Sequence, residues 1–313
     1  MDIPIIGVNF NRPNDIKSWF RSIRELETNN DSIHPIPIMV DNGSYDVSVG
    51  YIYDAIDDGF IERENVLWLP INVGFTVAQN YAFKILRGRR KYAYYAFLNI
   101  DATADSNWLI NLYNAAQQDI LNKIGMWSSL ILQPNNKEKV SSVGHWFSSE
   151  NGKCYDIDWN LPKSSKNCHF TKSTFEPFGP CFAAALISTE MLYNVGLPDN
   201  EQFLYYDDID LAFKARLNEW KCHFVSNAIA FHPLPGSRKS YHAAIPYQIE
   251  GQLMLVLRYF PEPERTKILS NLSPNQKEII QRISTSRRLP FSTEKNRRKV
   301  FNYWADKNKP IKK

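Results

Sequence analysis

The sequence predicts an α/β fold, a mostly parallel sheet with helices on both faces, followed by a helical C-terminal extension. Three observations predict it. Short β-rich runs alternate with amphipathic helical stretches over residues 1–132. Polar residues close one β-rich run after another, as they do where an open sheet meets its ligand crevice. Beyond about Ser240 the pattern turns helical and basic.

The elements follow in order. Ile3–Phe10 reads as a buried strand, and Pro13 opens a helix to about Glu27, because proline suits a first helical turn. Ile36–Val40 is a second strand, stopped by the turn cluster Asp41-Asn42-Gly43-Ser44. Asn65–Leu69 is a third, followed by Asn72-Val73-Gly74 and a helix through about Leu86. Tyr92–Leu98 is a fourth, stopped at Asn99-Ile100-Asp101, with a helix near Trp108–Gln118 and a strand near Gly125–Leu132 beyond it. Lys137–Pro177 has weak periodicity and reads as an irregular or short-stranded excursion. Phe178–Ser188 is the longest apolar stretch, a core strand or helix. The acidic run Tyr205-Tyr206-Asp207-Asp208-Ile209-Asp210 opens a helix to about Glu219, and Cys222–Phe231 is a strand ended by His232-Pro233. The C-terminal helices break at Pro261-Glu262-Pro263 and near Leu289-Pro290.

With 43% apolar and 22% charged residues, the 313-residue chain has the composition of a folded globular protein, and disorder is excluded. No apolar run approaches the ~20 residues that cross a bilayer, and the N-terminus lacks the basic leader of a secretory signal. Cys154, Cys168, Cys181 and Cys222 form no C-x-x-C pair, which argues against a zinc site or disulfide framework and suits a reducing cytosol. The net charge of +4 is uneven: Arg258–Lys313 holds 15 Lys/Arg against five Asp/Glu. Such a tail fits an anionic membrane surface, nucleic acid, or a helix whose apolar side packs on the domain.

No phosphate-binding glycine loop, no G-x-G-x-x-G after the first strand and no H-E-x-x-H occurs, which argues against P-loop NTPases, nicotinamide enzymes and zincins. A diphosphate ligand would then need a divalent cation held by carboxylates. Asp101, at the rim after an apolar strand, is the first candidate, although an aspartate there also caps a helix. The cluster Asp207-Asp208-x-Asp210 concentrates like charge; capping explains one or two of the three, and a general base must be a carboxylate or an imidazole within hydrogen-bond reach of the hydroxyl. His232 is a metal ligand or a strand-end histidine.

Together these stretches resemble the family 2 glycosyltransferases with the GT-A fold, closest to the rhamnosyltransferase-like branch. Val8–Pro13, with Asn9, Asn11 and Arg12, is similar to the family's opening strand and base-binding loop. Asp41-Asn42-Gly43-Ser44 matches D-N-x-S, and Asn72-Val73-Gly74-Phe75 through Ala78 to Asn80 matches N-x-G-F-x-x-A-x-N. Asn99-Ile100-Asp101-Ala102 resembles the N-x-D-A form of the D-x-D metal motif. Gly196, then Phe203–Leu211, fits G-(x)-F-L-Y-x-E-D-x-D-L, and His232 with Gly236-Ser237 resembles H-x-x-x-G-S. The likeness covers about residues 3–240, with the motifs in family order.

The resemblance implies the roles. Asn9, Asn11, Arg12, Asp41, Asn42, Ser44, Asn72, Gly74, Phe75, Asn80 and Asn99 would bind the nucleotide. Asp101 and His232 would hold Mn2+ or Mg2+, and Asp208 would be the catalytic base with Asp207 as runner-up. The sequence departs from the family at Asp207, where glutamate is usual, at Tyr81-Ala82, where x-G is common, and at Asn99, which lacks the first carboxylate of D-x-D. The implied reaction is inverting transfer from a UDP- or dTDP-sugar to a hydroxyl of a growing surface polysaccharide or O-antigen glycan, free or lipid-linked. Trp146, Trp159 and Phe175 are candidates for the acceptor side. The expected organisation is a glycosyltransferase domain at 1–240, with a nucleotide-sugar half at 1–132 and an acceptor half at 133–240, then a basic helical extension at 241–313. The expected location is the cytoplasm, with the basic helices as a contact to the inner membrane face. A non-catalytic nucleotide-sugar or glycan-binding module on the same fold is the alternative; nucleic acid is not expected as a partner.

Overall fold

The computed structural model describes residues 1–29, 32–118, 123–171, 175–233, 241–283 and 292–309. Along the chain the elements are β1 (Asp2–Asn9), α1 (Pro13–Arg24), β2 (His34–Asn42), α2 (Ser48–Asp57), β3 (Val66–Leu69), α3 (Phe75–Arg89), β4 (Tyr94–Leu98), β5 (Thr103–Ala104), α4 (Trp108–Gln118) and β6 (Ile124–Gln133). They continue with β7 (Asn136–Ser142), β8 (His145–Phe147), β9 (Cys154–Asp156), β10 (Ala184–Ser188), α5 (Thr189–Val195), α6 (Asp207–Leu217) and β11 (Lys221–Phe231). The C-terminal helices are α7 (Tyr241–Tyr259), α8 (Glu264–Ser270), α9 (Pro274–Ile283) and α10 (Glu294–Trp304).

The main sheet runs β3-β2-β1-β4-β10-β6-β11-β5, with β7 attached to β6. β1, β2, β3 and β4 are mutually parallel, as are β6 and β11, whereas β10 lies antiparallel between β4 and β6. This is the mostly parallel α/β arrangement expected from the alternating pattern, with β10 reversed inside the sheet and the short β5 and β7 antiparallel to β11 and β6. Period-two alternation divides each central strand between two cores. Ile3 and Ile5 face the layer containing Trp19, Trp108 and Leu109, while Ile6 and Val8 face the layer of α3, α5 and α6. α1 seats Ile16, Trp19, Phe20 and Ile23 on the first layer, the spacing of one helical face. The Trp19 indole N–H also donates to the Leu98 carbonyl at 2.9 Å, satisfying its polar end in the core.

Two local readings change and a third, the short-stranded excursion, gains detail. The sequence predicts no element at α2 or α5, which are short helices carrying only three or four buried residues each. Only the second half of Phe178–Ser188 is a strand, and Phe178 and Phe182 enter the core from the irregular chain before it. Within Lys137–Pro177 the excursion includes three short strands, with β8 and β9 pairing as a separate ribbon.

The C-terminal helices join the core. Leu255, Val256 and Tyr259 of α7, Phe260 just beyond it, and Val300, Phe301 and Trp304 of α10 are buried with the residues of α6. The Arg216 guanidinium lies 4.0 Å from the centre of the Trp304 ring, a favourable cation–π contact. On α10, Arg297, Arg298 and Lys299 pair with Glu294, Glu264 and Glu219 at 3.0, 2.8 and 3.0 Å. The break at Pro261–Pro263 falls between α7 and α8; the break at Leu289-Pro290 lies outside the described residues. Among the described residues no helix is long and apolar enough to cross a membrane.

Candidate active site

The residues singled out by the sequence gather at the carboxyl ends of the parallel strands. Asn9 and Asp41 are register partners at the ends of β1 and β2. The buried Asn9 side-chain amide lies 2.9 Å from Asp41 Oδ2, 3.0 Å from Ser44 Oγ and 2.9 Å from Ser48 Oγ. Ser44 donates its N–H to Asp41 Oδ1 at 2.9 Å, closing the turn. Asn11, with φ of 53°, donates its N–H to Ser44 Oγ at 3.1 Å and accepts the Tyr45 N–H at 3.0 Å. A left-handed backbone is tolerated by asparagine better than by most residues, and here it folds the Asn11-Arg12 loop over the Asp41 turn. Arg12 itself is only loosely paired, 3.8 Å from Asp15.

A second group ties this half to the segment before α6. The Asn42 side-chain amide donates to Asn72 Oδ1 at 2.9 Å, and Asn42 Oδ1 accepts the Val73 N–H at 3.0 Å. Gly74 has φ of 91°, and a Cβ there would stand 2.7 Å from the Phe203 carbonyl oxygen, so the position requires glycine. Phe75 donates its N–H to that same oxygen at 2.7 Å. The Asn80 amide reaches the Pro198 carbonyl and Asn200 Oδ1, each at 2.7 Å. These side chains spend their hydrogen bonds on the chain itself and hold two loops together.

Asp101 and His232, the two residues expected to hold a cation, meet: Asp101 Oδ1 is 3.1 Å from His232 Nε2. His232 is fixed by its N–H to the Leu132 carbonyl at 3.0 Å, and both side chains are about one-fifth exposed. Gly236 and Ser237 lie outside the described residues. Asn99 donates its backbone N–H to the Ala183 carbonyl at 3.0 Å, which joins the Asp101 loop to the start of β10.

The acidic motif opens α6, where the helix dipole favours negative charge. Tyr205 and Tyr206 both take left-handed φ values, 67° and 66°, a rare conformation for bulky residues that turns the chain sharply into the helix. The three carboxylates then diverge. Asp210 points inward and is fully buried, 2.8 Å from Lys214 Nζ and accepting the Asp199 N–H at 3.0 Å. Asp207 is buried with Oδ2 unpartnered among the described residues, and burial followed by the Asp208 charge pushes its carboxyl well above the usual carboxylate range. Asp208 stays partly exposed, at 15%, with Oδ2 2.8 Å from His145 Nε2. Asp208 Oδ2 also accepts the Phe182 N–H at 3.4 Å, one residue before the carbonyl that holds Asn99.

His145, Asp156 and Cys181 belong to this site, and no sequence pattern marked them. His145 Nδ1 faces Asp156 Oδ1 at 3.5 Å, so the imidazole lies between two carboxylates. Burial opposes a charge on the ring, but Asp208 together with Cys181 and Asp156 outweighs it, and the His145 proton affinity stands well above the ordinary histidine value. Burial raises both the Asp156 carboxyl and the Cys181 thiol. One ligand atom from each of His145, Cys181 and Asp208 lies within 4.8 Å of the others. Of the aromatics expected on the acceptor side, Trp146 is buried and stacks on Tyr155 at 4.7 Å, and Phe175 packs edge-on against Phe224 at 5.4 Å. Trp159 is 51% exposed.

Residues 5–160 match the model of glycosyl transferase family 2. Among solved structures the chain is similar to the mannosyltransferase PcManGT from Pyrobaculum calidifontis in complex with GDP-Man and Mn2+, at 14% identity and a TM-score of 0.53, over 92% of this chain and 76% of that one. It is similar to GalNAc-T7 with UDP, GalNAc and Mn2+ at 12% identity and a TM-score of 0.61, over 96% and 54%. It is also similar to S. aureus TarS at 14% identity and a TM-score of 0.52, over 92% and 44%. The chain thus spans about half the length of the last two. No curated protein matches it. With the family's motifs brought to one rim of a GT-A sheet, the chain is a family 2 glycosyltransferase.

Proposed function

We propose that this glycosyltransferase moves a sugar from a UDP- or dTDP-sugar to a hydroxyl of a growing surface glycan, inverting the anomeric carbon, with Asp208 as the base. The observation that carries this reading is the short link between two sets of residues. Phe182 donates its N–H to Asp208 and the adjacent Ala183 carbonyl accepts the Asn99 N–H, so one dipeptide links the acidic motif to the loop that carries Asp101.

Asp41, fixed by Asn9 and Ser44, and the Asn11-Arg12 loop hold the base and ribose. Asp101 and His232 offer one carboxylate and one imidazole, a donor set that suits Mn2+ or Mg2+ when diphosphate oxygens and water complete the sphere. A cation held there would neutralise charge developing on the diphosphate leaving group. Asp208 accepts the proton of the acceptor hydroxyl as its oxygen bonds to the anomeric carbon. The bond from that carbon to the diphosphate breaks on the opposite face, and one displacement inverts the centre. Family 2 membership supports the reaction class, and GDP-Man, UDP and Mn2+ in the similar structures support a nucleotide-sugar donor with a cation. The bacterial-type polysaccharide acceptor rests on the motif resemblance.

Thermal unfolding with UDP, dTDP, GDP, CMP and NAD, each with and without Mn2+, tests the donor half. A nucleotide at 100 times its dissociation constant adds about 2.7 kcal/mol, a shift of several degrees. A Mn2+-dependent shift with UDP or dTDP is expected, and no shift with any nucleotide overturns the reading. Asp208→Asn should abolish transfer and keep that shift; loss of the shift would move Asp208 from catalysis to donor binding.

A further inference from the structure

We infer that His145, Cys181 and Asp208 form a second cation site, separate from Asp101–His232, that takes a borderline-soft divalent ion of the zinc class and blocks transfer when filled. The inhibition rests on Asp208 acting as the base; the binding does not.

The donor set selects the ion. Imidazole, thiolate and carboxylate are zinc ligands, whereas Mn2+ and Mg2+ prefer oxygen. The ligand atoms already lie within 4.8 Å of one another. Tetrahedral zinc, with bonds of about 2.0–2.3 Å, needs its ligands roughly 3.3–3.8 Å apart. The 2.8 Å contact between His145 Nε2 and Asp208 Oδ2 must open, and any pair near the 4.8 Å limit must close, each by roughly an ångström at most. Asp156 stands behind the ring, 3.5 Å from Nδ1, where a zinc-ligating histidine commonly finds the carboxylate that fixes its orientation. Asp208 and Cys181 are both partly exposed, so an ion has a way in and solvent can fill a fourth position. Cys181 binds as thiolate and its proton leaves to solvent. The sparse cysteine spacing does not bear on this site, because its ligands come from three separate segments.

Filling the site ties the Asp208 oxygen to the ion and removes the acceptor's proton sink. The test is to strip the full-length protein of metal and titrate it with Co2+ alone. Visible bands of four-coordinate Co2+ and a near-ultraviolet thiolate-to-cobalt band are expected, both reversed by Zn2+. Cys181→Ser should lose the thiolate band, and His145→Ala should weaken Co2+ binding about tenfold or more. Asp101→Asn should keep the thiolate band. No thiolate band in the wild type, or one that survives Cys181→Ser, overturns the proposal. Independently of any variant, Zn2+ but not Mn2+ should slow alkylation of Cys181 in the wild type about tenfold, as for a ligand held in a metal shell; an unchanged rate also overturns it. Zn2+ added at saturating Mn2+ should inhibit transfer, and the inhibiting concentration should rise about tenfold in Cys181→Ser, each variant measured against its own zinc-free rate. Equal zinc sensitivity overturns the inhibitory role. An absence of transfer with every donor would instead count against the proposed reaction, since the cobalt spectrum needs no donor.

Discussion

Tyr259 donates a 2.6 Å hydrogen bond to Asp210 Oδ1, joining the last residue of α7 to the first turn of α6. Its neighbour Arg258 is also buried, 2.9 Å from Asp199, 2.7 Å from Glu201 and 3.6 Å from Asp210. The C-terminal helices therefore hold the acidic motif from behind while Asp208 stays partly exposed.

Removing that support should be costly. Arg258→Ala leaves the fully buried Asp210 with less compensating charge and should cost about 3–5 kcal/mol. Tyr259→Phe deletes one hydrogen bond to a buried carboxylate and should cost about 1–3 kcal/mol. Urea unfolding measures both. A loss below about 0.5 kcal/mol for Arg258→Ala would mean that the α7 contact does not stabilise the motif.

The buried Asp207 predicts a pH signature. An unfolded aspartate loses its proton near pH 4 (~3.9), whereas burial and the Asp208 charge keep the folded Asp207 protonated to higher pH. Between those values the folded state binds more protons, so this group lowers stability as pH rises. Asp207→Asn cannot ionise and escapes that loss. Its stability relative to the wild type should increase from pH 4 towards pH 7 in denaturant melts. A difference that does not change with pH would show that the carboxyl is not held protonated.

Gly74→Ala places a Cβ 2.7 Å from the Phe203 carbonyl oxygen at a φ of 91°. The strain should cost about 1–3 kcal/mol and loosen the link between the Asn72 loop and the segment before α6. Calorimetry should show the lower Tm, and the KM for the donor should rise. An unchanged Tm would mean that the loop relaxes freely.

Asp101→Asn and His232→Ala separate the cation from the nucleotide. Each should erase the Mn2+-dependent part of the nucleotide-induced thermal shift and leave the metal-free part. Retention of the full shift in both variants would exclude the pair as the cation's seat.

The grouping of the residues proposed for the donor was legible because they sit where apolar runs stop. Asn9, Asp41, Asn72 and Asp101 each lie at or just beyond the end of an apolar strand, and an open sheet places such ends together. The Asp101–His232 contact was legible only as a pairing of two strand ends. His145, Asp156 and Cys181 were not, because their neighbours in sequence lack a period and their meeting depends on a fold-back. Arg258 and Tyr259 were hidden for a different reason. They begin a segment rich in cations, and composition cannot tell a buried arginine with three carboxylates from a solvated one.

The reversed strand β10 gives the fold an unusual division of labour. β6 and β10 are antiparallel neighbours, so residues 134–183 amount to one enlarged hairpin whose two feet are clamped in the sheet. Because β10 runs backwards, the rim receives the residues that enter this strand, Cys181–Ala183, where every parallel neighbour offers the residues that leave it. With both feet held in the sheet, a change of length in the connection between β6 and β10 leaves the strand order undisturbed.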